Sequence, residues 1–130
     1  LSIDNQLTEI YKKMGVCPQH DLLWDTLTAA EHASFYCRLK GYSDATVHKM
    51  VKQALASVSL AGDCDNFAGS FSGGMKRRLS MANCLVGQPE VVYMDEPSTG
   101  LDPGAKHQLW DVVEEAKKTK SITQKKRTRY

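Results

Sequence analysis

A short stretch near the middle of the chain, Ser72-Gly73-Gly74, has the residue types of a phosphate-binding turn. The first backbone N–H groups of a helix have no acceptor within the helix and carry partial positive charge. Two glycines would let that backbone approach a phosphate closely, and the serine hydroxyl would add another donor. Taken alone, three such residues favour the alternative, a plain helix N-cap followed by flexible glycines.

Two adjacent carboxylates, Asp95 and Glu96, come directly after an apolar run over residues 91–94. Neighbouring side chains diverge, so one can reach Mg²⁺, directly or through water, while the other faces an attacking water. An apolar strand would place both at the carboxyl edge of a sheet. The alternative is an ordinary acidic junction between a strand and a turn. The Ser-Gly-Gly about 20 positions earlier favours the functional interpretation of both motifs.

Gln19 is a third candidate group, because it follows a short apolar segment, Met14–Cys17, that Pro18 would end as a strand. An amide has both a donor and an acceptor, so it can bond a metal-bound water or a phosphate oxygen. Taken alone, a polar turn residue is the favoured alternative. The sequence has no G-x-x-x-x-G-K-[ST] phosphate loop, so these groups would form only part of a nucleotide site.

The first half of the chain predicts helices with clear start signals. Residues 5–13 would form a short helix or turn. Thr28 and Glu31 have the spacing of a capping box, and Gly41 suits the end of that helix. Its predicted inward side chains are Ala33, Phe35, Tyr36 and Leu39. A helix starting at Ser43 or Asp44 follows the helical repeat most closely, with Val47, Met50, Val51, Ala54, Leu55 and Val58 on one face.

The second half places the chemical groups at helix starts and strand ends. After a loop over residues 61–71, Ser72 would cap one helix, and Asp102 would cap the last helix with Pro103 in its first position. Only two strands can be placed, Met14–Cys17 and residues 91–94, and their apolar character is typical of a parallel sheet. Two strands bury little apolar surface, so we expect such a sheet to be only marginally stable alone.

Length and composition set limits on the class of protein. At 130 residues the chain forms at most one domain, and it has no run of 18 apolar residues that could span a bilayer. Its first residues lack the pattern of a secretory signal. It also starts without methionine, so we expect a piece of a longer protein. Four cysteines with no C-x-x-C pair favour reduced thiols over a zinc site.

The charge is unevenly distributed. Residues 117–130 hold seven of the 17 basic residues and no acid, which leaves ten bases against 15 acids in the rest. Such a basic run can touch nucleic acid or anionic lipid, but a solvated, disordered end is the favoured interpretation. The chain would therefore divide into a domain over residues 1–118 and a basic tail over residues 119–130.

Four segments together resemble the motifs of ATP-binding cassette (ABC) ATPases. Residues 71–80 resemble the signature motif, residues 91–97 the Walker B strand, residues 98–102 the D-loop, and residues 15–28 the Q-loop region. The run Met-Lys-Arg-Arg-Leu-Ser is typical of subfamily A, the lipid and sterol exporters. The resemblance implies an α/β fold, namely a partial P-loop NTPase (RecA-like) domain with most of its helical subdomain and an incomplete parallel core sheet.

The resemblance also implies a role for each candidate group. Asp95 would bind Mg²⁺, Glu96 would be the general base, and Gln19 would be a catalytic group that contacts both the metal and the nucleotide. The Ser-Gly-Gly, residues Ser72, Gly73 and Gly74, would contact the γ-phosphate of an ATP held by a second nucleotide-binding domain. That dimer is head to tail, with Asp102 at its interface. ATP and Mg²⁺ are the implied cofactors.

As part of such a transporter, the chain would lie at the cytoplasmic face of a membrane and power transport, with lipid as the implied cargo. Residues 22–60 would dock against the coupling helices of a transmembrane domain. The membrane would be reached only through the transporter, and no nucleic acid is expected as a partner. A DNA-repair or chromosome-maintenance ATPase also carries a Ser-Gly-Gly signature, but it inserts long coiled coils before that motif. Gln19 and Ser72 are only 53 positions apart in this chain, which argues against that alternative.

Two motifs of the family do not occur in the sequence, the phosphate loop (Walker A) and the histidine expected on a strand after the last helix. Because the phosphate loop holds the triphosphate, we expect the 130 residues alone to bind ATP weakly or not at all and to hydrolyse it at a negligible rate. The alternative is a non-catalytic truncated variant that acts as an interaction fragment. Such a fragment would dock on a transporter or supply the Ser-Gly-Gly in trans.

Overall fold

The computed structural model describes residues 5–18, 22–95 and 100–118, and the backbone of residues 121–125. Its helices are α1 Leu7–Lys13, α2 Ala29–Leu39, α3 Asp44–Ser57, α4 Gly73–Leu85 and α5 Pro103–Lys117. Its strands are β1 Met14–Cys17, β2 Val91–Asp95 and β3 Ser121–Lys125. Two short 3₁₀ turns, Ala61–Asp63 and Ala68–Ser70, lie within the segment predicted as a loop. Across these ranges no helix is both long and apolar enough to cross a membrane.

The predicted helix starts are confirmed. The N–H of Glu31 donates to the Thr28 hydroxyl at 3.1 Å, and the N–H of Thr28 donates to the Glu31 carboxylate at 3.1 Å. This reciprocal pair is a capping box, which satisfies two backbone donors that the helix itself cannot. Gly41 follows the end of α2 with φ +85°, a conformation that favours glycine.

The three strands form one parallel sheet in the order β1-β2-β3. Its inner face contributes Cys17, Val92 and Met94 to an apolar cluster with side chains of α4 and α5. On the opposite face Val16 and Tyr93 are paired in register and are 61% and 48% exposed. Gly15 lies against α4, where an added Cβ would overlap the carbonyl oxygen of Cys84.

The third strand differs from the sequence prediction. The sequence predicts two strands, and β3 lies within the basic segment expected to be disordered. Helix α5 returns the chain to the open edge of β2, where the β3 backbone can pair in parallel along five residues, Val91↔Ser121 through Asp95↔Lys125. The hydrogen bonds between neighbouring strands join backbone groups. The polar and charged side chains of β3, which argue against a strand, therefore do not prevent the pairing.

A second apolar cluster forms where α2, α3 and α4 pack together. The inward face predicted for α3 is confirmed, since Val47, Val51, Ala54, Leu55 and Val58 are buried and Met50 is half-buried. The prediction for α2 is wrong at Phe35 and Leu39, which are 40% and 65% exposed. The buried stripe of α2 instead contains Ala29, His32, Ala33 and Cys37, which also recur at helical spacing but include a polar side chain.

Leucine truncations test this assignment of faces. Leu79→Ala removes a fully buried side chain from the α2–α3–α4 cluster, so we expect it to lower the free energy of unfolding by about 2–5 kcal/mol. Leu39→Ala makes the same chemical change at an exposed site and should cost less than about 0.5 kcal/mol. Urea unfolding followed by circular dichroism measures both, and equal losses would contradict the described packing.

Candidate functional site

The first residues of α4 form an open helix N-terminus. The Ser72 hydroxyl accepts the N–H of Met75 at 3.2 Å, and its carbonyl accepts the N–H of Lys76 at 2.9 Å. The preceding amides, those of Gly73 and Gly74, have no acceptor within the helix. An added Cβ at Gly73 would have no heavy atom within 4 Å, so the space in front of this turn is open. A phosphate oxygen can approach these amides, which fits the predicted chemistry.

The start of α5 is built in the same way. The carboxylate of Asp102 accepts the N–H of Ala105 at 2.7 Å, and Pro103 occupies the first turn, as predicted. Gly100 precedes this cap with φ +76°. The acidic N-cap complements the partial positive charge of the helix start.

The two helix starts line one cavity of about 520 Å³. Its lining comprises Ser72, Gly73, Gly74, Met75 and Arg78 from α4, and Gly100, Leu101, Asp102, Gly104, Ala105 and Gln108 from α5 and the turn before it. The structure therefore brings together two motifs that lie about 30 positions apart in the sequence. The start of α4 carries partial positive charge, which favours an anion on its side of the cavity, whereas the start of α5 already has the carboxylate of Asp102.

Gly74 has a packing role as well as the predicted phosphate-facing role. An added Cβ at this position would stand 3.1 Å from the Cβ of Ala105, closer than ordinary van der Waals contact. The absence of a side chain therefore lets the first turns of α4 and α5 lie against each other. From the sequence, only ligand approach is predicted for this glycine.

Asp95 stands at the carboxyl end of β2, as predicted, and is half-buried. A carboxylate there can supply an oxygen ligand to Mg²⁺. Of the described residues, those that line the cavity at the helix starts do not include Asp95. The other predicted metal and catalytic groups, Gln19 and Glu96, lie outside the described residues, so their roles stay predictions.

Pro18 and residues 22–24 are described on either side of the undescribed residues 19–21, and two buried polar side chains bond to their backbone. Arg77 Nη1 donates to the carbonyl of Pro18 at 2.9 Å. The backbone N–H of Trp24 donates to His32 Nε2 at 2.9 Å. Neither Arg77 nor His32 is among the site residues predicted from the sequence. Both lie on the inward face of their helix, at helical spacing from buried apolar residues. That spacing is the signal in the sequence that indicates a buried side chain at each position.

A second cavity, of about 540 Å³, lies between β1, α1, α2 and α4. Its lining is mainly apolar and comprises Tyr11, Met14, Gly15, Val16, Pro18, Leu22, Tyr36, Leu39, Lys40, Ser80, Asn83 and Cys84. Several large apolar side chains at its rim are exposed, among them Leu22 and Leu39. An exposed apolar groove of this kind is typical of a surface that binds another protein segment.

Comparison with known proteins gives consistent matches. Residues 2–99 match the sequence profile of the family described as ABC transporter. Among curated proteins, ABC transporter A family member 7 of Arabidopsis thaliana is 54% identical over 124 residues, which is 94% of this chain and 13% of that protein. Members 10 and 12 of the same plant family are 53% and 52% identical over 94% of this chain. The chain spans 13–14% of the length of these relatives.

Glycine substitutions at the start of α4 test the close approach of the two helices. Gly73→Ala adds a methyl group in open space and should raise stability by up to about 1 kcal/mol through helix propensity. Gly74→Ala gains the same propensity but overlaps Ala105, so we expect it to be less stable than Gly73→Ala by about 1 kcal/mol.

The double variant Gly74→Ala/Ala105→Gly is the control, because it removes the overlapping methyl group from α5. We expect a positive coupling in a double-mutant cycle measured by chemical unfolding. Additive effects of the two changes would mean that the helix starts do not touch as described.

Proposed function

Because the chain belongs to the ABC transporter family, as part of a P-loop NTPase domain most similar to subfamily A, we propose that it supplies one half of an ATP site that drives transport. This membership confirms the α/β fold class predicted from the motifs. The observation that carries the proposal is the single cavity lined by Ser72-Gly73-Gly74 and Asp102. It has open helix amides on one side and room for a phosphate group.

In this proposal the cavity faces a second nucleotide-binding domain, which holds ATP on its own phosphate loop. The signature motif, Ser72-Gly73-Gly74, donates hydrogen bonds to the γ-phosphate, and Asp102 lies at the interface of the two domains. At the other ATP of the dimer, which the phosphate loop of this chain's own domain would hold, Asp95, the Walker B carboxylate, would bind Mg²⁺, and the metal would neutralise charge on the phosphates. Glu96 takes a proton from the attacking water, and Gln19 orients that water and the metal shell.

The apolar cavity beside β1 supports a second contact in the same assembly. We propose that a coupling helix of the transmembrane domain docks there, since exposed Leu22 and Leu39 offer it apolar surface. The chain would then lie at the cytoplasmic face of the membrane and contact it only through the transporter. The proposed cargo is lipid, and it rests on the run Met75-Lys76-Arg77-Arg78, which is typical of subfamily A.

Titration calorimetry with Mg-ATP tests the half-site directly. We expect the 130 residues alone to show no binding, because Asp95 and Glu96 repel a triphosphate that no phosphate loop holds. Joining the phosphate-loop segment of a related ABC domain to the N-terminus should restore binding. If the 130 residues alone bind Mg-ATP, and Asp95→Ala abolishes that binding, the nucleotide occupies a different site and the proposal fails.

Substitutions of Ser72 separate the cap from the phosphate contact. Aspartate and asparagine both cap helices as well as serine, so Ser72→Asp and Ser72→Asn should each change the free energy of unfolding by less than about 0.5 kcal/mol. In the chain joined to a phosphate-loop segment, Ser72→Asp places a negative charge where the γ-phosphate would bind. We expect it to abolish ATP-dependent dimerisation, measured by analytical ultracentrifugation.

Ser72→Asn is the neutral control, and it should retain part of that dimerisation. Equal dimerisation of the aspartate and asparagine variants would mean that no phosphate approaches this turn.

A further inference from the structure

The loop that leads into α4, residues 64–71, is bonded through its backbone to the start of α2. The first N–H groups of α2, those of Ala29 and Ala30, have no acceptor within that helix. They donate to the carbonyls of Asn66 and Cys64 at 3.2 and 2.9 Å. The loop therefore supplies acceptors that α2 requires, and these bonds fix its first half against the helix start.

The second half of the loop is bonded to the segment that precedes α2. The N–H of Ala68 donates to the carbonyl of Leu27 at 2.9 Å, and the N–H of Gly69 donates to the carbonyl of Asp25 at 3.2 Å. Ala68 is fully buried in the α2–α3–α4 cluster. Ser72 follows three positions after Gly69, so the chain reaches α4 from a backbone that is held on both halves of the loop.

Gly69 and Asp25 lie closer together than a side chain at position 69 would allow. A Cβ added to Gly69 would stand 3.0 Å from both the Cβ and the carbonyl oxygen of Asp25, closer than ordinary van der Waals contact. A Cβ added to Gly62, in the 3₁₀ turn before this loop, would have no heavy atom within 4 Å. The absence of a side chain at Gly69 thus sets how near the loop lies to Asp25.

Asp25 also contacts the chain on the other side of Ser72. Its carboxylate Oδ1 lies 3.7 Å from Nζ of Lys76, and the N–H of Lys76 donates to the carbonyl of Ser72 at 2.9 Å. Asp25 therefore contacts a residue before Ser72 through its backbone and a residue after Ser72 through its side chain. The carboxylate is 73% exposed, so this ion pair adds little to folding stability.

Packing of α4 sets where its N-terminus lies, but Ser72 precedes the first helical residue and has an extended backbone. The two glycines that follow it restrict the backbone least. We propose that Asp25 and Gly69 are positioning residues for Ser72, and that their contact sets the direction in which its hydroxyl and the first amides of α4 face the cavity. The inference rests on the role proposed for Ser72 at the γ-phosphate.

Amide hydrogen exchange, resolved by NMR on the 130-residue chain, tests the attachment of the loop. Gly69→Ala forces the loop away from the segment before α2, and we expect the amides of Ala29 and Ala68 to exchange at least about tenfold faster. Gly62→Ala makes the same chemical change in open space, so exchange at these amides should not change. Unchanged exchange in Gly69→Ala would overturn the inference.

The amide resonances of Gly73 and Gly74 report the direction of the turn itself. We expect Gly69→Ala to move both resonances in the amide correlation spectrum, and Gly62→Ala to leave them in place. If Gly69→Ala moves only the resonances of its immediate neighbours, the contact does not reach Ser72 and the inference is wrong.

ATP-dependent dimerisation separates positioning from general loss of structure. In the chain joined to a phosphate-loop segment, Gly69→Ala should weaken dimerisation about tenfold in analytical ultracentrifugation, as expected for misdirected hydrogen-bond donors. Its affinity for Mg-ATP in calorimetry should stay within about twofold, because the phosphate loop, and not Ser72, holds ATP in each monomer. An equal loss of both affinities would overturn the positioning role.

Substitution of Asp25 tests the second contact without changing the backbone. Relative to the unsubstituted joined chain, Asp25→Ala should weaken dimerisation about two- to fivefold at low salt and have no effect at about 1 M salt. Asp65→Ala is the matched control, because Asp65 is an exposed carboxylate of the same loop and makes no ion pair with the described residues. Equal losses from the two substitutions would mean that net charge, and not the pair with Lys76, is responsible.

Failure of the proposed function is distinguishable from failure of this inference. If the unsubstituted joined chain does not dimerise with ATP, the proposed function fails, while the resonances of Gly73 and Gly74 still decide whether Asp25 and Gly69 direct the turn. Circular dichroism shows whether each variant folds. If Gly69→Ala does not fold, Asp25→Ala carries the same comparison on the 130-residue chain, and moved resonances of the two glycines are the expected result.

Discussion

Helix α4 is buried on nearly every side, and the arrangement of the other elements follows from that. From Leu79 to Leu85 every residue of the helix is buried. One set of its side chains, including Leu79 and Ala82, packs with α2 and α3, and another, including Met81 and Cys84, packs with the sheet and α5. A helix that serves two clusters at once cannot rotate or slide without opening one of them. Its N-terminus, with Ser72, is therefore placed by the packing of its middle.

Long basic side chains donate hydrogen bonds to chain segments that the apolar contacts do not hold in place. Arg78, next to Arg77, donates to the carbonyls of Val58 and Ser59, where α3 ends. Lys40 donates to the carbonyl of Val86, where α4 ends. Each of these cations satisfies backbone carbonyls that a helix or strand leaves without a partner at its end. The loops around the site are thus fixed by long side chains from helices, and their own sequences need not be apolar.

Much of the fold could be predicted from the sequence because its signals are local. Caps at Thr28, Ser72 and Asp102 depend on residues three positions apart, and the inward face of α3 follows directly from its periodicity. Strand β3 could not be predicted, since its pairing depends on the distant edge of β2. The exposure of Phe35 and Leu39 depends on which neighbour covers α2, and that is also a long-range property.

The same distinction applies to the candidate site. The sequence placed Ser72 and Asp102 at helix starts, but the cavity that they share depends on how α4 crosses α5. The attachments made by Arg77 and His32 depend on side chains that reach across the fold, and charge or periodicity alone does not reveal their partners. Gln19 and Glu96 were predicted from the motifs, and those assignments stay predictions.

Gly15 has a consequence for the alignment of the strands. If β1 shifted by one residue along β2, Met14 or Val16 would take the place that Gly15 occupies against Cys84. Even a methyl group at that place overlaps the backbone of α4. Only one register of β1 therefore fits the helix behind it. With Cys17 opposite Met94 in that register, both strands leave the sheet at the same edge, one residue apart. The absence of a side chain at Gly15 thus sets how far each strand extends toward the sheet edge at which Asp95 stands.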